Sequence, residues 1–177
     1  MTTTSAPPSS TTPRRSGRLP RAARWMITFA GFPLGAVAAQ ALVGQVGSTG
    51  SALLGGLVTG AVLGAVQAWA LRRSGRAALA WVAATGLGLM VGLGIGSTLV
   101  GHRTDLTSLV VQGAVCGIAV GVGQSLLLRP QLGRRALGWP IVVGAAWALG
   151  WAVVTALTGV LPVALHRLAR RDEEVAS

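Results

Sequence analysis

Five apolar runs dominate this chain, and each is long enough to cross a bilayer as a helix. They are Trp25–Val46, Ser51–Leu71, Ala77–Val100, Thr107–Leu128 and Leu137–Leu161, and none contains an Asp, Glu, Arg or Lys. A helix of about 20 residues covers the hydrocarbon core. Helix is favoured over strand because every backbone polar group in lipid needs a partner within its own element. The runs also lack the alternating polarity of barrel strands. Short connections make neighbouring helices antiparallel. The expected fold is therefore all-α, an integral membrane helical bundle of about five transmembrane helices.

Composition supports that reading and narrows the partners. Only 11% of the 177 residues are charged, against about 25% in an ordinary soluble domain. All 15 basic residues are arginine and the net charge is +11. The arginines flank the apolar runs instead of covering a folded face, so membrane lipids are the expected acidic partner and nucleic acid is not. Cys116 is the sole cysteine, which excludes an internal disulfide.

The chain divides into a basic, Ser/Thr/Pro-rich leader (1–24), expected to be disordered, a multi-pass domain (25–165) and a charged tail (166–177). Arginine placement sets the orientation. The leader carries Arg14, Arg15, Arg18, Arg21 and Arg24, the loop after the second run carries Arg72, Arg73 and Arg76, and the loop after the fourth carries Arg129, Arg134 and Arg135. These belong on the cytoplasmic side of a plasma membrane, here a bacterial inner membrane. Trp25, Trp69, Trp81 and Trp139 lie near that side, as an aromatic belt would. The basic start of the tail fits less well, since five crossings place it outside. A small-residue site, Ala39-Gln40-Ala41, follows the basic leader. The apolar run continues past it, so an uncleaved helix is expected.

The second and fourth runs repeat one another. Gly56, Gly60, Gly64, Gln67, Leu71 and Arg72 match Gly113, Gly117, Gly121, Gln124, Leu128 and Arg129 at a constant offset of 57. After one extra residue the match continues, with Trp81 against Trp139, Gly86 against Gly144 and Gly92 against Gly150. The repeat units, about 52–100 and 109–161, are parallel duplicated hairpins of helices 2–3 and 4–5. At 100° per residue the three glycines and the glutamine of each copy fall within about 80° on one helix face. Such a glycine zipper allows close backbone contact, and the amide supplies an interhelical hydrogen bond. The expected geometry brings helices two and four together across a pseudo-two-fold axis, with Gln67 facing Gln124.

The combination GxxxGxxQxxxLR, then a basic turn and a tryptophan-led helix, resembles uncharacterised bacterial multi-pass membrane proteins. In those a tryptophan directly follows the glutamine. Here Ala68 and Ser125 stand at that position. The resemblance covers about residues 56–151 and implies an architecture without an activity.

No catalytic residue, cofactor site or metal site is expected. His102, Arg103 and Asp105 cluster in an outer loop, but two candidate ligands are too few for a closed metal site. Ser97, Ser125 and Cys116 lack a partner that would activate them. Gln67 and Gln124 are read as packing or ligand contacts, and Arg72, Arg73, Arg129, Arg134 and Arg135 as interfacial contacts to lipid phosphate. The expected role is a non-enzymatic structural, assembly or accessory component, associating with itself or with another membrane protein. The alternative is a small transporter or channel for an uncharged or lipidic solute.

Overall fold

The computed structural model describes residues 20–45 and 47–176, of which 21, 22, 25 and 159–176 are described in backbone only. Most of the 1–24 leader lies outside these residues. The described chain is helical throughout: α1 (Arg21–Val43), α2 (Thr49–Ala70), α3 (Gly75–Leu99), α4 (Leu106–Leu132) and α5 (Trp139–Ala176), with a 3-10 turn at Gly133–Gly138. Four helical stretches are long and apolar enough to cross a membrane: Met26–Val43, Thr49–Ala70, Gly75–Leu99 and Leu106–Thr158. The last covers 53 residues, because α4, the 3-10 turn and α5 follow one another without a break.

Helix ends follow local chemistry. Ser48 and Ser51 form a capping box that starts α2, which satisfies two otherwise unpaired backbone donors. Asp105 caps α4, its carboxylate accepting from the Ser108 amide at 3.0 Å and the Ser108 hydroxyl at 2.7 Å. Two ends depart from the sequence expectation. α4 does not stop at Leu128 but continues through Arg129 and Pro130 to Leu132. Pro130 has no N–H to donate to the Leu126 carbonyl, and α4 ends two residues later. The backbone of α5 also runs on through residues expected to form a separate tail, as far as Ala176. Leu, Ala, Arg and Glu, which dominate that stretch, are good helix formers.

α3 is the centre of the bundle, packed against α2 on one face and α4 on another, while α5 folds back along α4 and α1 lies on α2. Glycine makes each seam. A Cβ added to Gly88 would stand 2.7 Å from the Val120 Cα, and one on Gly92 would stand 2.6 Å from the Cys116 Cα. Gly31 and Gly35 of α1 meet Leu63 and Thr59 of α2 in the same way, at 3.1 Å and 2.8 Å. Both pairs of contacts are related by the offset of 57. α1 therefore sits on α2 as α3 sits on α4. Leu89, Cys116 and Val120 form the buried apolar core between α3 and α4.

Candidate functional site: an amide cluster beside an apolar cavity

The glycine stripes of α2 and α4 are used inside their own hairpins. A Cβ on Gly56 would lie 2.7 Å from the Leu89 carbonyl oxygen, one on Gly60 2.8 Å from the Gly86 Cα, and one on Gly64 2.9 Å from the Val82 Cα. In the second hairpin a Cβ on Gly113 would meet the Trp151 ring, one on Gly117 would lie 2.8 Å from the Gly144 Cα, and one on Gly121 2.6 Å from the Pro140 Cα. The expectation that the stripes of α2 and α4 face each other is thus corrected. The α2–α3 connection is only Leu71–Ser74, so α3 must return beside α2, and its own glycine, Gly86, fits the stripe. α2 and α4 do not pack backbone to backbone.

The glutamines nevertheless meet. Gln124 donates from Nε2 to Gln67 Oε1 at 3.1 Å and to Thr85 Oγ1 at 3.1 Å. Trp81 Nε1 donates to Gln67 Oε1 at 3.1 Å, and Trp139 Nε1 donates to Gln124 Oε1 at 3.0 Å. The Thr85 hydroxyl in turn donates to the Trp81 carbonyl oxygen at 2.9 Å. Trp81 is buried and Trp69 is exposed, and the Trp25 side chain lies outside the described residues. The two indole N–H groups explain why a tryptophan follows each glutamine by one hairpin turn. A buried indole requires an acceptor, and the facing amide is one. Thr85, Gly31, Gly35 and Gly88 were not singled out from the sequence. The spacing of Gly31 and Gly35, equal to that of Gly88 and Gly92 at the same offset of 57, was the available signal.

This cluster forms one end of a cavity of about 720 Å³ between α1 and α5. Its walls include Phe32 and Ala36 of α1, Leu63 of α2 and Trp147, Gly150 and Val154 of α5, with Gln67 and Gln124 at the polar end. Along α5 the lining runs from Trp139 to Val154, roughly 22 Å at 1.5 Å per residue. α1 and α5 are bridged by an edge-on contact of Phe32 and Trp147, with ring centroids 4.7 Å apart. The face of α5 carrying Gly150 corresponds to the Gly92 face of α3, yet nothing lies within 4 Å of a Cβ built on Gly150. The seam that α3 closes against α4 is open at α5.

The arginines occupy the same end of the bundle as the glutamines. Arg73 lies over the Trp81 ring, its guanidinium 4.3 Å from the centroid. Arg72 is exposed in a left-handed conformation, φ 56°. Arg129 lies in the last turn of α4, and Arg134 and Arg135 lie in the 3-10 turn; all three are exposed. At the opposite end Arg103 approaches Asp105 at 3.9 Å, with both side chains more than half exposed. Hydrogen bonds from Ser108 hold the Asp105 carboxyl below its ordinary range. Among the described residues no three His, Cys, Asp or Glu side chains group as metal ligands.

No protein-family model, curated protein or solved structure matches the chain. Over its described residues the chain is an all-helical protein with helices of the length and apolarity of membrane spans.

Proposed function

We propose that the chain crosses a membrane five times, as a leading helix and two copies of one hairpin, and that it holds a lipidic molecule in the cavity between α1 and α5. The role is that of a non-enzymatic binding or accessory component. The observation that carries it is the cavity itself. Its volume of about 720 Å³ falls within the roughly 300–1,000 Å³ of small-molecule sites. Its length exceeds the ~15 Å half-thickness of a hydrocarbon core, which suits an acyl chain. Apolar walls with a few convergent polar groups at one end are the chemistry of an amphiphile site. Close self-association through the α2 and α4 glycines is disfavoured, because those faces already seat α3 and α5. Cytoplasmic placement of the arginine-rich end follows from the charge bias, and a reporter fused after Arg73 tests it.

Native mass spectrometry from lipid nanodiscs tests the function. The wild type is expected to retain one lipidic mass. Gly150→Phe, whose side chain enters the open part of the cavity, is expected to remain folded and to lose that mass. A wild type that carries nothing overturns the reading.

A further inference from the structure

We infer that the occupant of this cavity carries an anionic head group, a phosphate or a carboxylate, bound at the amide end by Gln67 and Arg24; the inference rests on the cavity reading above. Gln67 uses Oε1 as a double acceptor, for Trp81 and for Gln124. Its Nε2, with two N–H groups, makes no hydrogen bond among the described residues, and Gln67 lines the cavity. Unmet amide donors beside an apolar space call for an acceptor.

Charge at the same end specifies the acceptor further. The pairing of Gly35 with Thr59 and of Gly31 with Leu63 sets an antiparallel register that puts Arg24 level with Ala70. Ala70 and Leu71 line the mouth of the cavity at that end. Arg24 precedes Thr28, another lining residue, by one helical turn on nearly the same face. Its Nε is buried and without a hydrogen-bond partner. The Arg73 guanidinium over Trp81 adds a second cation to the mouth.

Among the described side chains there is no counter-ion there. Asp105 is the sole carboxylate side chain between Met1 and Arg171, and it caps α4 at the other end of the bundle. A guanidinium whose Nε is buried without a partner is stabilised by an anion that accepts from its planar set of donors. With none among the described side chains at that end, the anion comes with the ligand, and a hydrocarbon tail fills the apolar length beyond it.

The test uses full-length protein in nanodiscs of equal phosphatidylglycerol and phosphatidylcholine, read by native mass spectrometry. The expected result is one retained lipid, enriched in phosphatidylglycerol by about fivefold, the effect of roughly one arginine near an anionic group. Arg24→Gln should abolish the enrichment while a lipid is still retained. Arg24→Lys, which keeps the charge, should preserve most of it, and Arg103→Gln at the other end should change nothing. A retained lipid in the proportions of the disc would overturn the head-group inference and leave the cavity reading standing. Absence of any retained lipid would overturn both. In discs of phosphatidylcholine alone with added inorganic phosphate, a phosphate adduct lost in Arg24→Gln would identify a free anion as the ligand and overturn the amphiphile.

Discussion

Gln124 donates to Gln67 across 3.1 Å although the helices that carry them do not touch along their backbones. The two amides are unequal. Gln124 is buried, 3% exposed, and engages Gln67, Thr85 and Trp139. Gln67 is half-buried, and only its oxygen is engaged. Gln124→Leu leaves the Trp139 N–H without its acceptor and removes three hydrogen bonds, so it should destabilise by about 2 kcal/mol. Gln67→Leu should cost about 1 kcal/mol, since interhelical bonds in membranes are worth roughly 0.6–2 kcal/mol each. Reversible unfolding in mixed micelles measures the difference, and equal losses would contradict the asymmetry.

Gly117 and Gly150 make opposite demands on the same methyl group. A Cβ at Gly117 would stand 2.7 Å from the Val143 carbonyl oxygen, while one at Gly150 meets nothing within 4 Å. Gly117→Ala must push α5 away from α4, a backbone shift of the kind that costs about 1–3 kcal/mol. Gly60→Ala should cost as much between α2 and α3. Gly150→Ala should be neutral or slightly stabilising, because alanine favours helix over glycine. Thermal unfolding in detergent separates them, and a destabilised Gly150→Ala would mean that the cavity is not open there.

The apolar runs made the helices legible, and the offset of 57 located the residues that later proved to meet. What the spacing could not supply was the partner of each stripe. A row of glycines says that some backbone comes close, without saying which. Gly60 could have faced α4; the four-residue turn at Leu71–Ser74 instead delivers Gly86 of α3 to it. The cavity was illegible for a related reason. Its existence depends on a face of α5 that resembles that of α3 at Gly150 but carries Ala146 and Val154 where α3 has Gly88 and Gly96. Only the relative placement of α1 and α5 shows that this face stays unpacked.

Asp105 gives α4 a pH-dependent start. Bonds from the Ser108 side chain and backbone lower its pKa from 3.8. A carboxylate whose folded pKa is depressed stabilises the fold above its unfolded pKa, and the contribution is lost as pH falls through the folded value. The first turn of α4 should therefore hold at neutral pH and fray only in acid, below about pH 4. Exchange of the Ser108 amide, followed against pH, reads this directly. Asp105→Asn keeps an acceptor for the cap and should remove the acid transition; a transition that persists in that variant would assign it to another group.

The two equivalent seams should fail differently. Gly92 joins α3 to α4 at the centre of the bundle, whereas Gly35 joins only α1 to α2. Leucine at either position forces backbones apart, since the added Cβ alone would stand 2.6 Å from the Cys116 Cα at Gly92 and 2.8 Å from the Thr59 carbonyl oxygen at Gly35. Gly92→Leu should separate the hairpins, break the link between Gln67 and Gln124, and prevent folding. Gly35→Leu should release α1 while α2 to α5 keep their packing, because none of their mutual seams uses α1. The cavity would then lose the wall that carries Phe32 and Ala36. A cysteine placed at Leu63, which is 2% exposed beneath α1, should become reactive to a membrane-permeant maleimide in Gly35→Leu. An unreactive Cys in a folded Gly35→Leu protein would show that α1 is held by more than this seam.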